Sequence, residues 1–208
     1  MLRAGSGEAI LKNEIPCYSR NDNKKMKITI LNGNPKADNI KFDNYIDTLA
    51  DMLKSSRHTA IVFKLRDMDI KHCIGCWSCW VETPGECIIA DNSSAICREY
   101  INSDFVIFAS PIIMGFTSAL LKKAMERLLP LVHPYFEVVN GEIHHLSRYD
   151  RYPLMGLLIQ KGRDTDEEDI KIISDIYMRS AINIKTSLRF TKLTDDFVEE
   201  VVNEINNI

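Results

Sequence analysis

Four cysteines, Cys73, Cys76, Cys79 and Cys87, fall within one fifteen-residue run, CIGCWSCWVETPGEC, at the spacing C-x2-C-x2-C-x7-C. Cysteine is a soft, oxidisable ligand, and three at x2 spacing can turn their sulfurs toward one point. Three readings fit the run. Four thiolates can hold a 4Fe-4S cluster. Structural zinc is the less typical match, because zinc sites usually pair two C-x2-C units far apart. Reduced thiols on a loop need no metal. Trp77 and Trp80 lie between and beside the cysteines, where they would shield a cluster, cover an apolar pocket or anchor a long loop. Cys17 and Cys97 stand apart from the run.

Two further stretches have residue types suited to a ligand. Asn32-Gly33-Asn34-Pro35-Lys36-Ala37-Asp38-Asn39 separates a short β-branched run, Lys27–Leu31, from an amphipathic pattern over about 39–55. A helix starting there would offer free backbone N–H groups and the positive end of its dipole to a phosphate. Gly33 allows close backbone approach, Lys36 adds a charge, and Asn34 and Asn39 have side-chain donors. A plain polar turn accounts for the same residues equally well. The stretch lacks both the G-x-x-x-x-G-K-[ST] of a P-loop and the G-x-G-x-x-G of Rossmann dinucleotide sites. Ser110-Pro111-Ile112-Ile113-Met114-Gly115-Phe116 follows the apolar run Phe105–Ala109. Its backbone amides beside apolar side chains suit a planar ring with polar edges; packing under a neighbouring loop is the alternative. His144-His145 would point to opposite sides of an extended segment, so a solvated loop is expected rather than a metal pair. Arg148–Tyr152 suits an interface, a substrate lid or surface packing. No Ser/His/Asp order or carboxylate pair points to hydrolysis.

These stretches need elements to position them. The pattern alternates strand and helix, with strands at 27–31, 59–65, 105–109, 154–159 and 184–191. Helices are expected over about 39–55, after a cap at Ser93 or Ser94, and with Leu120, Leu121, Ala124, Met125, Leu128 and Leu129 on one side up to a stop at Pro130. Another follows a Thr165/Glu168 capping box to about Ala181, and a last one is lined by Phe197, Val198, Val201, Val202 and Ile205. Segment 67–91 reads as irregular, and 130–152 as a long polar and aromatic excursion. Strands separated by helices specify a doubly wound α/β fold: a five-stranded parallel sheet with helices on both faces, in the order 2-1-3-4-5. Ligands in such sheets bind beyond the carboxyl ends of the strands, at the switch point between strands 1 and 3. That selects loops 32–39, 110–116 and 160–164.

Bulk properties narrow the class. A chain of 208 residues suits one domain, and a net charge of -3 with 26% charged residues argues against a nucleic-acid binder. No run approaches the ~20 apolar residues of a membrane span, and no secretory pattern is visible, so a cytoplasmic protein with free thiols or thiolate ligands is expected. Residues 1–25 are polar and aperiodic and read as an extension without function; Met26 falls where the first strand begins, and 26–208 form the domain.

Over 26–208 the chain resembles the flavodoxin-like NAD(P)H-dependent FMN reductase family, which includes the iron–sulfur flavoproteins. Asn32-Gly33-Asn34-Pro35-Lys36 is similar to the family's Gly-Ser-Pro-Arg phosphate loop, and Ser110-Pro111-Ile112-Ile113-Met114-Gly115 to its Ser-Pro flavin loop. Cys73-x2-Cys76-x2-Cys79 with Gly85-x-Cys87 is similar to the compact motif of the iron–sulfur members. The resemblance implies FMN at the switch point, with its phosphate near Asn34, Pro35, Lys36 and Asn39. It implies the isoalloxazine against Pro111, Ile112, Ile113, Met114 and Gly115, with Lys161 and Gly162 nearby. It also implies NAD(P)H as co-substrate, a flavin, quinone or other small acceptor, and a homodimer or homotetramer. Two departures stand out: Ala37-Asp38-Asn39-Ile40 replaces the usual hydroxyl donors, and Ile113 stands where an aromatic residue is common.

The function expected is an FMN oxidoreductase whose cysteines are thiols flanking the flavin. The first alternative is an iron–sulfur flavoprotein electron carrier ligating through Cys73, Cys76, Cys79 and Cys87. The second is a non-catalytic thiol or metal sensor, or an interaction module.

Overall fold

The computed structural model describes residues 25–208; the expected extension, with Cys17, lies almost wholly outside them. In chain order the strands are β1 (Lys27–Asn32), β2 (Thr59–Lys64), β3 (Phe105–Ile113), β4 (Phe116–Thr117), β5 (Val132–Val139), β6 (Glu142–Ser147), β7 (Leu154–Gln160) and β8 (Leu188–Leu193). The helices are α1 (Ile40–Ser55), α2 (Ser78–Val81), α3 (Ser93–Ile101), α4 (Ala119–Glu126), α5 (Glu167–Asn183) and α6 (Val198–Asn206). The long strands pair in parallel in the order β2-β1-β3-β7-β8. That is the expected 2-1-3-4-5 arrangement, with its switch point between β1 and β3.

Strand alternation divides the core into two layers. Ile28, Ile30, Phe105, Ile107 and Ala109 pack with Phe42, Ile46, Leu49 and Leu53 of α1 and Val201, Val202 and Ile205 of α6. Leu31, Val106 and Phe108 face the other way, against Tyr100 of α3, Leu121 and Ala124 of α4, and Tyr177 of α5. β3 is buried along all but its last residue, as a central parallel strand covered on both faces must be. On β7, Gly156 leaves room for the stacked rings of Phe105 and Phe190, 5.6 Å apart; a Cβ there would stand 2.5 Å from Phe190.

Several boundaries differ from the sequence expectation. β3 runs on through Pro111 to Ile113 and turns at Met114-Gly115, both at positive φ, into β4, so 110–116 is a tight hairpin rather than a loop. Segment 130–152, expected as a polar and aromatic excursion, has regular structure. It holds the antiparallel β5–β6 hairpin, closed by Asn140-Gly141, again both at positive φ, as a two-residue hairpin turn demands. α5 is capped one residue later than expected, by Asp166 with Asp169 as the reciprocal partner, while Thr165 accepts from the Gly162 amide. α3 has no side-chain cap from Ser93 or Ser94; Asp91 accepts from the Ser93 amide instead. The last strand starts at Leu188, because α5 continues to Asn183 and Lys185 then takes a left-handed conformation. Phe197 is the exposed cap of α6 and not part of its buried face. No described helix is long and apolar enough to cross a membrane.

Candidate functional site

The loops following β1, β3 and β7 meet at the carboxyl edge of the sheet. The Gly33 amide donates to the Ala109 carbonyl at 2.8 Å, and the Ser118 hydroxyl, which caps α4, donates to the Gly33 carbonyl. The glycine is required here by its neighbours: a Cβ would lie 2.7 Å from Leu121 and 3.1 Å from the Ala109 carbonyl. Further along, Asn39 Nδ2 donates to Gln160 Oε1 at 2.7 Å, tying the head of α1 to the end of β7. On the far side, Gly162 lies close under β3, where a Cβ would come within 3.3 Å of the Ile112 carbonyl.

The loop after β1 is held from behind by a buried polar network. Asn34 is 1% exposed, and its side chain is fully engaged: Nδ2 donates to Asp43 Oδ1 and to the Asn39 carbonyl, while Oδ1 accepts from the Lys36 amide. Asn32 Nδ2 also donates to Asp43 Oδ1, and Asn32 Oδ1 accepts from the Asn34 amide. Arg66, arriving from the end of β2, closes on Asp43 with contacts of 2.8 and 3.1 Å. Burial alone would raise the Asp43 pKa, but the bonds from Arg66, Asn32 and Asn34 outweigh it and hold the carboxyl below its usual range. Neither Asp43 nor Arg66 was singled out in the sequence, since they lie 23 residues apart and only the fold joins them.

Pro35, Lys36, Ala37 and Asp38 of this loop are all exposed, the Asp38 carboxylate included. Asn39 caps α1 by accepting from the Phe42 amide. Among the described residues, the amides of Ala37, Asp38, Ile40 and Lys41 meet no protein acceptor. Lys36 is exposed beside them. Four N–H groups without an acceptor at the head of a sixteen-residue helix make a candidate anion cradle.

The β3–β4 hairpin supplies an apolar wall next to this cradle. Ile112 is buried, Ile113 is 39% exposed and Met114, at the turn, is 99% exposed. Pro111 pairs with Gln160, and Gly115 approaches Asp169 at the start of α5. Lys161 is engaged by Glu167 at 2.7 Å, a contact that raises its pKa.

The cysteine loop leaves the same edge after β2. Its stem is closed by paired bonds: the Asn92 amide donates to the Asp69 carbonyl, the Asp69 amide to Asn92 Oδ1, and the Lys71 amide to Asp91 Oδ2. Asp91 is also locked to Arg127, both side chains being almost fully buried, and Arg127 further donates to Ser93 Oγ and the Ile89 carbonyl. Within the loop, Cys79 is buried on α2, Cys73 and Cys87 are half-buried, and Cys76 is exposed between Gly75 and Trp77, both at positive φ. Among the described residues, no three His, Cys, Asp or Glu side chains converge to hold a metal ion. Trp80 anchors the loop by donating to the carbonyls of Leu129 and Val132.

The remaining sequence candidates have structural roles. His144 and His145 do point to opposite sides, but on β6 rather than a solvated loop: His144 is buried beside Glu142, and His145 bonds the His133 carbonyl. Tyr152 accepts from the amides of Arg148 and Tyr149 and donates to the Leu131 carbonyl, which folds 148–152 back on the body. A cleft of about 230 Å³ between α4 and α5 is lined by residues such as Met125, Leu129, Ser180 and Asn183, and none of the edge loops contributes to it.

An iron–sulfur flavoprotein of Archaeoglobus fulgidus is 26% identical over 102 residues, 49% of this chain and 48% of that protein. A second, from Methanocaldococcus jannaschii, is 30% identical over 106 residues, 51% of this chain and 53% of that protein. The chain thus spans about half the length of the curated relatives it matches. Among solved structures, the NAD(P)H:quinone oxidoreductase from Methanothermobacter marburgensis shares the fold, with a TM-score of 0.58 at 15% identity over 88% of this chain and 94% of that one. The family model described as NADPH-dependent FMN reductase matches residues 26–143, more than half of the sequence, and the chain belongs to that family.

Proposed function

We propose that this chain binds FMN where the loops after β1, β3 and β7 meet, and uses NAD(P)H to reduce a small acceptor such as a flavin or quinone. The observation that carries this reading is the set of unpartnered amides at the head of α1, placed at the switch point of a sheet whose family reduces FMN. The donor set fits a phosphate. The amides of Ala37, Asp38, Ile40 and Lys41 would take its oxygens, with Lys36 adding charge in place of the family's hydroxyls. Asn34 and Pro35 shape the loop from behind, since the Asn34 side chain has no donor left over. Asn39 sets the gap between cradle and wall through Gln160. Ile112, Ile113, Met114 and Gly115 offer the apolar surface for a planar ring, and a methionine side chain left almost wholly in water fits that use. Pro111 and Gly162 keep this wall tight, and Lys161 stays with Glu167. Bound there, FMN supplies the hydride relay between nicotinamide and acceptor. The test is titration of the purified protein with FMN and with riboflavin, followed by anaerobic NADH or NADPH. Tight FMN binding and bleaching of the flavin bands support the reading; no binding and no NAD(P)H oxidation with added FMN end it.

The cysteine loop supports a second reading, an electron carrier with an additional iron–sulfur centre. Cys73, Cys76, Cys79 and Cys87 are the right donors in type and number, on a loop with a locked stem. Ligation by all four requires Cys76 to turn inward, and the left-handed residues on either side mark where the loop would pivot. Iron and sulfide analysis after anaerobic purification decides it: absence of both leaves the thiols as flanking residues. A protein that binds neither FMN nor iron would instead be a non-catalytic relative.

A further inference from the structure

Two arginines reach the cysteine loop from outside it, and each keeps a buried N–H group without an acceptor. Between Cys73 and Asp91 the chain has Glu82 and Glu86 but no lysine, arginine or histidine, so the loop's own charges there are all negative.

Arg127 is the residue after α4. Its side chain is 2% exposed, and Nε and Nη2 are spent on Ser93 Oγ, the Ile89 carbonyl and Asp91 Oδ1. Nη1 is also buried and, among the described residues, meets no acceptor. Asp91 does not use up the cation. It touches the guanidinium through Nη2 alone, and its carboxylate is shared with the amides of Lys71 and Ser93. The Cys97 thiol, which meets the Arg127 carbonyl at 3.2 Å, marks what else is near. Burial raises that thiol to about 12, and of the ionisable groups that influence it Arg127 counts for more than Cys87, Asp91 and Cys79. Arg127 and two of the four loop cysteines thus share one neighbourhood.

Arg148, the residue after β6, comes from another side. Its guanidinium lies over Gly85, two residues before Cys87: a Cβ there would stand 3.7 Å from Arg148 Cδ and 4.0 Å from Nε and Nη1. Nη2 donates to the Val132 carbonyl, the same oxygen that anchors Trp80. Nε is buried and meets no acceptor among the described residues. Nor does this arginine enter any ion pair among them.

A buried guanidinium N–H without a partner is costly, and two of them beside one loop call for an anion there. The loop has the donors to make one. Four thiolates around iron and sulfide leave a net negative charge, and reduction adds one more.

We propose that Arg127 and Arg148 are the counter-cations of an iron–sulfur centre on the cysteine loop, each turning its spare N–H to a sulfur and raising the reduction potential. The inference rests on the second reading above and adds to it two residues that ligate nothing. Positive charge and hydrogen bonds at the sulfurs favour the more negative, reduced state, which sets the sign of the effect.

The experiment is anaerobic reconstitution of the full chain with ferrous iron and sulfide, followed by a potentiometric titration. Electron paramagnetic resonance of the reduced centre reads it, because flavin absorbance does not obscure that signal. Wild type is compared with Arg148→Met, Arg148→Lys and Arg127→Met. Each methionine variant should make reduction about tenfold less favourable, equivalent to about 59 mV for one electron, and Arg148→Lys should recover part of the loss. Arg127 also seats the loop stem, so circular dichroism accompanies its variant; if that variant does not fold, Arg148→Met, which breaks no ion pair, decides. A wild type that holds iron and sulfide, with an unmoved potential in Arg148→Met or in folded Arg127→Met, overturns this inference and leaves the four-cysteine reading standing. A wild type that takes up neither iron nor sulfide overturns both.

Discussion

Replacing Arg66 with methionine removes the only cation that contacts Asp43 among the described residues and leaves its carboxylate behind the anion cradle. The two side chains are 17% and 11% exposed, so water reaches the pair but does not screen it fully. Breaking a fully buried pair from one side costs 3–5 kcal/mol and losing a charged hydrogen bond about 1.5–3, which brackets this site at about 2–3 kcal/mol. At about 2–4 °C per kcal/mol for a domain of this size, the melting temperature should fall by about 5–10 °C. The uncompensated charge should also weaken FMN by about tenfold, equivalent to 1.4 kcal/mol, and leave riboflavin unchanged because riboflavin has no phosphate. Adding Asp43→Asn should restore most of both losses. Calorimetry and flavin-fluorescence titration of the two variants read these quantities. An unchanged melting temperature, equal losses for FMN and riboflavin, or no rescue in the double variant would refute the assigned role.

Three more perturbations test other parts of the fold. Gly156→Ala should destabilise by about 1–3 kcal/mol through overpacking against Phe105 and Phe190, seen as a lower denaturation midpoint with an unchanged slope. Asp43 and Asp91 both have folded pKa values below their unfolded ones, because hydrogen bonds from Arg66, Asn32 and Asn34, and from Ser93, Lys71 and Arg127, outweigh the raising effect of burial. Their contribution is present above the unfolded carboxylate value and lost as pH falls through the lower folded values, so urea midpoints should be flat near neutrality and decline below about pH 4. Burial pushes the Cys97 thiol up to about 12, and its Sγ meets the Arg127 carbonyl, so a disulfide reagent at pH 8 should label exposed Cys76 early and Cys97 only after unfolding, as peptide mapping would report.

The sheet was legible because each central strand is a short apolar run followed by a helix pattern, and that alternation leaves few ways to connect the strands. The head of α1 was legible for a local reason: Asn39 is a strong capping residue just before the amphipathic stretch. The β5–β6 hairpin had an equally local signal in Asn140-Gly141, but the strands beside it alternate toward the wrong side, so the hydrophobic pattern gave no inner face to recognise. The β3–β4 turn was hidden by Pro111, a residue that normally ends strands and here sits at the last pairing of β3 with β7. The network around Asp43 was invisible for a different reason. Asn32, Asn34, Asp43 and Arg66 are unremarkable polar residues until β1, α1 and the end of β2 are brought together.

The closed stem of the cysteine loop has an evolutionary and engineering consequence. Asp69 and Asn92 are joined by two hydrogen bonds, so the chain enters and leaves the loop at nearly one point. A segment attached in this way is a cassette. It can be lengthened or exchanged without re-registering a strand, provided Asp91 and Arg127 remain to seat its stem and Trp80 its body. A flavodoxin-like platform with such a socket can gain or lose a second redox centre by local substitution alone. Grafting the segment between Asp69 and Asn92 onto a relative lacking it would therefore move the thiol chemistry as a unit.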